Sequence, residues 1–169
     1  MLKPSGPTAL MTVLTLLVTA GLASPAPAAE QFFTASLLSG NETPLTLSTV
    51  GTGAFGAVLD ASETSLAFQL HYRDLVGGDV IGAHIHLGRS AITGGIMIHF
   101  CGTGGKPACP SSPNVVSGTV TAADVVAVTA QGVVAGDFSQ VVRALRRGDA
   151  YVNVHTTTYP GGEIRGPVQ

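Results

Sequence analysis

Short segments in which apolar and β-branched residues alternate with small or polar ones recur along the chain from residue 31 to residue 168. They are QFFTASLL (31–38), VGTGAFGAVLD (50–60), TSLAFQLHY (64–72), VIGAHIHLG (80–88), GIMIHF (95–100), VVSGTVT (115–121), AYVNVHT (150–156) and GEIRGPV (162–168). This period of two predicts eight strands. The intervening SGNETP, DASE, VGGD, GTGGKPACPSSP and TYPGG are turn-forming stretches rich in Gly, Pro, Asn and Asp. Many short strands at this spacing predict an all-β fold, an antiparallel β-sandwich or barrel, and of these a sandwich of about eight Greek-key-like strands is the expectation. One segment breaks the period: Phe138, Val141, Val142 and Leu145 fall on one face of a helix over 138–147. Asp137 is placed to cap its start with Gln140 in a variant capping box, and Arg146, Arg147 and Gly148 suit its end. The stretch AADVVAVTAQGVV (122–134) fits helix or strand equally.

Strand parity sorts the histidines. In 81–88 the odd positions Ile81, Ala83, Ile85 and Leu87 form the expected core face, and Gly82, His84, His86 and Gly88 the opposite one. Alternate residues on one face stand about 7 Å apart, close enough for two imidazoles to share an ion. Tyr151, Asn153 and His155 fall on one side of their strand, away from Val152 and Val154. His99 shares its parity with Met97, away from Ile96, Ile98 and Phe100, and His71 lies opposite Leu66, Phe68, Leu70 and Tyr72. His71 and His99 stand near strand ends, where solvated histidines are common, and are the weaker ligand candidates. His84, His86 and His155 fit two readings. They are either ligands for copper or zinc, with haem through one imidazole as an alternative, or a hydrogen-bonded layer with Asn153, Glu163 and Arg165 and no metal. The Met97 sulfur suits copper or haem iron, although a packed methionine is commoner.

The first residues change the compartment. Lys3 precedes the uncharged run ALMTVLTLLVTAGLA (9–23), and small residues follow at Ala26 and Ala28. That layout predicts a signal peptide over 1–28 and one exported domain over 29–169, periplasmic or secreted. The run is shorter than the roughly 20 residues of a bilayer span, so no membrane span is expected once the leader is removed. Without Lys3 the chain has seven basic and ten acidic residues, a formal charge of −3. Clustered cations for nucleic acid or anionic lipid are missing, since Arg143, Arg146 and Arg147 belong to a helix end. In an exported chain the two cysteines, Cys101 and Cys109, read as a disulfide rather than a thiolate metal site, stabilising by roughly 2.5 kcal/mol. Nucleophile motifs for hydrolysis are not apparent, and the G-x-G of GTGAF lacks a following helix for phosphate.

With these residues in place the chain resembles the chordin (CHRD) domain over almost its whole exported length. The resemblance runs from LSGNETP (38–44) and GTGAF through GAHIHLG, GIMIHF and VSGTVTAADV to YVNVHTTTYPGGEIRG (151–166). AHIH and the closing NVHT…P-GGEIRG are its most specific pieces, and His84, His86, His155, Glu163 and Arg165 match the signature. The Cys101/Cys109 pair resembles a loop of bacterial members that carry a signal peptide. The resemblance implies an all-β sandwich. It implies no growth-factor antagonism, which resides in cysteine-rich modules this chain lacks. A weaker likeness is to copper–zinc superoxide dismutases, through the His-x-His strand and the Gly-rich disulfide loop, without their zinc loop. Three functional classes follow: a metal- or haem-binding module, a superoxide-dismutase-like redox enzyme on the same site, or a structural or adhesive module without a ligand. In the enzyme, Arg165 would attract the anion. A homodimer is the candidate assembly.

Overall fold

The computed structural model describes Met1 and residues 29–169; apart from Met1, the predicted signal peptide lies outside the described residues. Eight strands form where the period of two predicts them. They are β1 (Gln31–Leu38), β2 (Thr52–Leu59), β3 (Ser65–Arg73), β4 (Val80–Leu87), β5 (Ile96–Cys101), β6 (Asn114–Thr121), β7 (Ala150–Thr156) and β8 (Ile164–Pro167). All pairings are antiparallel, and the strands make one sheet in the order β5-β4-β7-β8-β1-β2-β3-β6. The sheet folds over until it is nearly closed. Its edge strand β5 then lies across β2 and β3, and Phe100 stacks on Phe68 at 4.1 Å and on Phe55 at 5.6 Å between ring centroids. The expected all-β antiparallel fold is therefore present, with both walls of the core drawn from one curved sheet.

The core fills the inside of this fold with Leu37, Phe55, Leu59, Leu66, Leu70, Ile85, Val152, Val154 and Ile164. β1 and β3 alternate cleanly between buried and exposed positions, as strands with one wet face do. β4 and β7 are buried along nearly their whole length on both faces. Parity assumes a regular strand, and two irregularities overturn details of it. A register shift between Val80 and Gly82 buries Val80 and leaves Ile81 exposed. Shifts between β4 and β5 set Ile96 opposite His86 and send Met97 into the core, so its sulfur is packing and not a ligand.

Helix α1 (Phe138–Arg147) buries Phe138, Val141, Val142 and Leu145, and Gly148 ends it in the left-handed conformation at φ 66°. Its start differs from expectation. Asp137 caps no helical N–H; its carboxylate accepts the Ser139 hydroxyl at 2.6 Å. The Gln140 amide turns backward instead, accepting from Val134 N and donating to Gly132 O, which fastens the preceding loop. The ambiguous 122–134 stretch becomes neither helix nor strand. Two single 3-10 turns, Ala122–Asp124 and Thr129–Gln131, punctuate it while Val125 and Val133 reach into the core.

Cys101 and Cys109 are joined as a disulfide, which ties the end of β5 to the loop leading to β6. A second clasp is electrostatic. The fully buried Glu163 carboxylate accepts Val76 N at 2.8 Å, Gly77 N at 3.0 Å and the Thr156 hydroxyl at 2.8 Å. Gly77 permits this approach, because a Cβ there would lie 2.0 Å from Thr156 Oγ1 and 2.6 Å from Glu163 Oε2. Glu163→Gln leaves buried donors without a charged acceptor, and unfolding in urea should show a loss of about 2–3 kcal/mol.

Candidate metal centre

The register of the central strands lays one row of polar residues across the sheet. His99 of β5 pairs with His84 of β4, His84 with Asn153 of β7, and Asn153 with Arg165 of β8. The flanking rows pair Gly82 with His155 and His86 with Tyr151. His84, His86, His155 and His99 thus meet on one face, as parity predicts for each strand. What parity does not give is the environment. Parity sets this face opposite the core without saying what covers it, and His84 and His86 are only 4% and 6% exposed. Loops fold over it and make a second, polar interior.

The rings are close. One ligating nitrogen from each of His84, His86 and His155 lies within 4.8 Å of the others. Ring centroids are 4.9 Å apart for His84 and His155, 5.5 Å for His84 and His86, and 4.8 Å for His84 and His99. Gly82 makes room for this packing, since a Cβ there would stand 2.9 Å from Cε1 of His84. His86 stacks nearly parallel on Tyr151, at 4.7 Å and 7°.

Hydrogen bonds set the tautomers. His86 Nδ1–H donates to the Gly94 carbonyl at 2.9 Å, and His155 Nδ1–H to the Pro160 carbonyl at 2.9 Å. Each ring, when neutral, then carries its lone pair on Nε2. The Thr103 hydroxyl lies 2.6 Å from His84 Nε2 and 2.8 Å from His99 Nδ1, so it accepts from one ring and donates to the other. His84 Nδ1 and His86 Nε2 are buried with no hydrogen-bond partner among the described residues. His155 Nε2 faces Asn153 Oδ1 at 3.0 Å. Two acceptors meet there when the ring is neutral, a contact made favourable by a cation between them or by turning the amide over. Rings anchored through one nitrogen to an oxygen, with a second nitrogen left to bind, are common among metal ligands in proteins.

Burial keeps the rings uncharged. Desolvation, with the neighbouring His155, His86 and His99 adding to it, depresses His84 to about 3. Desolvation also lowers His86 to about 4, with smaller contributions of the same sign from His155 and Arg165. Burial lowers His155 and His99 as well, the latter helped by the Lys106 charge. Neutral imidazoles are the metal-binding form, and here protons compete weakly for them.

Other sequence candidates lie elsewhere or play other parts. His71 sits exposed on the far side of β3 and does not join the cluster. Glu163 belongs to the clasp beneath residues 76–77, not to a histidine network. Arg165 does belong to the polar layer, but it is 1% exposed. Its guanidinium lies over the Tyr151 ring, 3.4 Å from Cζ to the centroid, and donates to Arg89 O, Ile92 O and Thr43 Oγ1. It presents no free face to a solvent anion. Sequence reasoning did not single out Tyr151, Thr103, Gly94 or Pro160. Tyr151 had a signal, its shared parity with Asn153 and His155. The other three act from loops, where no period exists to place them.

The depressed values give a pH prediction for the metal-free protein. Folded His84 and His86 titrate near 3 and 4 against an ordinary 6.5, so the unfolded chain binds more protons below 6.5. Their contribution to stability is complete above pH 6.5 and is lost as pH falls toward 4. Glu42, which burial raises to about 7, acts with the opposite sign. The measurement is therefore a difference: urea midpoints of the wild type should fall more steeply between pH 7 and 4 than those of His84→Asn/His86→Asn.

Among known families, the model of the CHRD domain matches residues 33–168. No curated protein and no solved structure matches the chain.

Proposed function

The chain belongs to the CHRD-domain family, and from that premise we propose that it is an exported module binding one transition-metal ion through His84, His86 and His155. Two observations carry this: one nitrogen from each of the three rings lies within 4.8 Å of the others, and His84 Nδ1 and His86 Nε2 are buried without a hydrogen-bond partner among the described residues. A purely structural histidine layer would leave both unsatisfied, at about 1–3 kcal/mol each. A metal ion uses them. Copper and zinc both suit imidazole, and both can be held where three rings converge. Haem fits less well, because His84 and His86 and their open nitrogens are buried and present no surface to a macrocycle. Export is supported by the leader-like N-terminus, by the disulfide, and by the described residues containing no helix long and apolar enough to cross a membrane.

The ligands contribute in different ways. His84 and His86 come from one strand and supply the rigid part of the site. His155 is partly exposed and is the side from which an ion or a fourth ligand enters. A superoxide-consuming enzyme would need a cation near that opening, and Arg165 is committed to Tyr151 and the loop carbonyls. Binding, storage or delivery of the ion is the better reading of the same geometry.

Elemental analysis and titration of the purified protein should find one equivalent of copper or zinc. His84→Ala/His86→Ala should abolish binding, and His155→Ala should weaken it by about tenfold or more. His71→Ala should bind as the wild type does. Stoichiometric binding by the double variant would end this assignment.

A further inference from the structure

The electrostatics of the site select among ions. Resting on the reading just given, we infer that the ion this site is built to hold is monovalent copper, and that divalent zinc binds it more weakly.

The ligand group consists of three imidazoles and, among the described residues, includes no carboxylate or thiolate. Neutral rings cancel none of the bound charge. Two buried acidic side chains, Glu163 and Glu42, stand outside the ligand group. Glu163 accepts Val76 N, Gly77 N and the Thr156 hydroxyl. Glu42 is buried against Gly162, whose Cβ would lie 2.4 Å from its Oε1, with Arg165 as its charged neighbour. A bound ion therefore keeps its full charge.

It keeps that charge in a desolvated place. His84 and His86 are more than nine-tenths buried, and the cost of moving an ion out of water grows with the square of its charge. A divalent ion thus meets about four times the desolvation of a monovalent one. The fixed cation of Arg165 adds to this. Its guanidinium rests on the Tyr151 ring, and that ring is in stacking contact with His86. Its repulsion of the bound ion doubles from monovalent to divalent.

Coordination number points the same way. Zinc would need a water to complete its tetrahedron with the three rings, and copper(II) prefers a tetragonal set. The fourth histidine of the cluster, His99, is held by Thr103 and stands outside the convergent group. Cuprous ion is content with three nitrogens and needs no fourth ligand from solvent. Asn153 occupies the position next to His155 where a carboxylate would have added a negative charge to favour a divalent ion.

The test uses the disulfide-intact protein, without oxygen. Cuprous ion is titrated against a colorimetric copper(I) chelator, and zinc against a fluorescent zinc chelator. One equivalent of copper(I) should bind at least about 100-fold more tightly than zinc. Zinc binding as tightly as copper(I), or more so, would overturn the inference and leave the metal site standing. Failure of both ions to bind would overturn the site and the inference together. Asn153→Asp adds one negative charge at the same shape. It should strengthen zinc by about tenfold or more and change copper(I) much less. Equal strengthening of both ions, or of neither, in a folded variant would refute the charge argument.

Discussion

The interior of this protein depends on one buried cation. Arg165 stands on the central strand β8 with almost no exposed surface, and a charge in that position must be surrounded. The Tyr151 ring takes the face of its guanidinium, while carbonyls of Arg89 and Ile92 and the Thr43 hydroxyl accept from its two terminal nitrogens, and Nε has no partner among the described residues. Those partners come from two loops, the one after β1 and the one between β4 and β5. Arg165 therefore draws both loops down onto the sheet, and Thr43 meets Thr93 where the loops touch. Asn41 closes the arrangement by donating to the Arg165 carbonyl at 3.2 Å. Without this hub the face of β4 and β7 would be an ordinary wet sheet face. With it, the face becomes a second interior.

That change of environment converts histidine positions into histidine chemistry. The same imidazoles on a solvated strand would titrate at their ordinary value and exchange partners with water. Under the loops they are anchored, and burial lowers their pKa values so that the neutral form is favoured. The Gly94 carbonyl that receives His86 lies in the loop held by Arg165, so the hub also orients one ring. Thr103, which joins His84 to His99, belongs to the loop closed by the Cys101–Cys109 disulfide. Two covalent or ionic constraints outside the cluster thus aim three side chains within it.

The likeness to copper–zinc superoxide dismutases has a physical boundary. The alternation His-x-His on a β-strand is a geometric way to present two imidazoles, and any sheet protein can arrive at it. The differences lie in charge. This cluster contains no acidic ligand, and its arginine faces inward. Both features favour holding an ion of low charge over attracting an anion to it.

Most of the fold was legible in the sequence, because strand formation and side-chain parity are local. The period of two placed all eight strands, and the helical spacing of Phe138, Val141, Val142 and Leu145 placed α1. Parity also put His84, His86, Asn153 and His155 on common faces of their own strands. Parity failed at Ile81, Ile96 and Met97, because a bulge shifts the alternation and leaves no mark in residue type. Sequence alone could not say that β4 and β7 would be neighbours in a register that brings His155 beside His84. Nor could it say that Glu163 and Arg165, two residues apart, would serve unrelated clasps. Those outcomes depend on strand pairing across 70 residues and on loops that settle only around a finished sheet. The chain by itself determined which side chains share a face. The tertiary structure decided that this face is dry, because burial is a property of what lies above a residue, and nothing local to the residue encodes it.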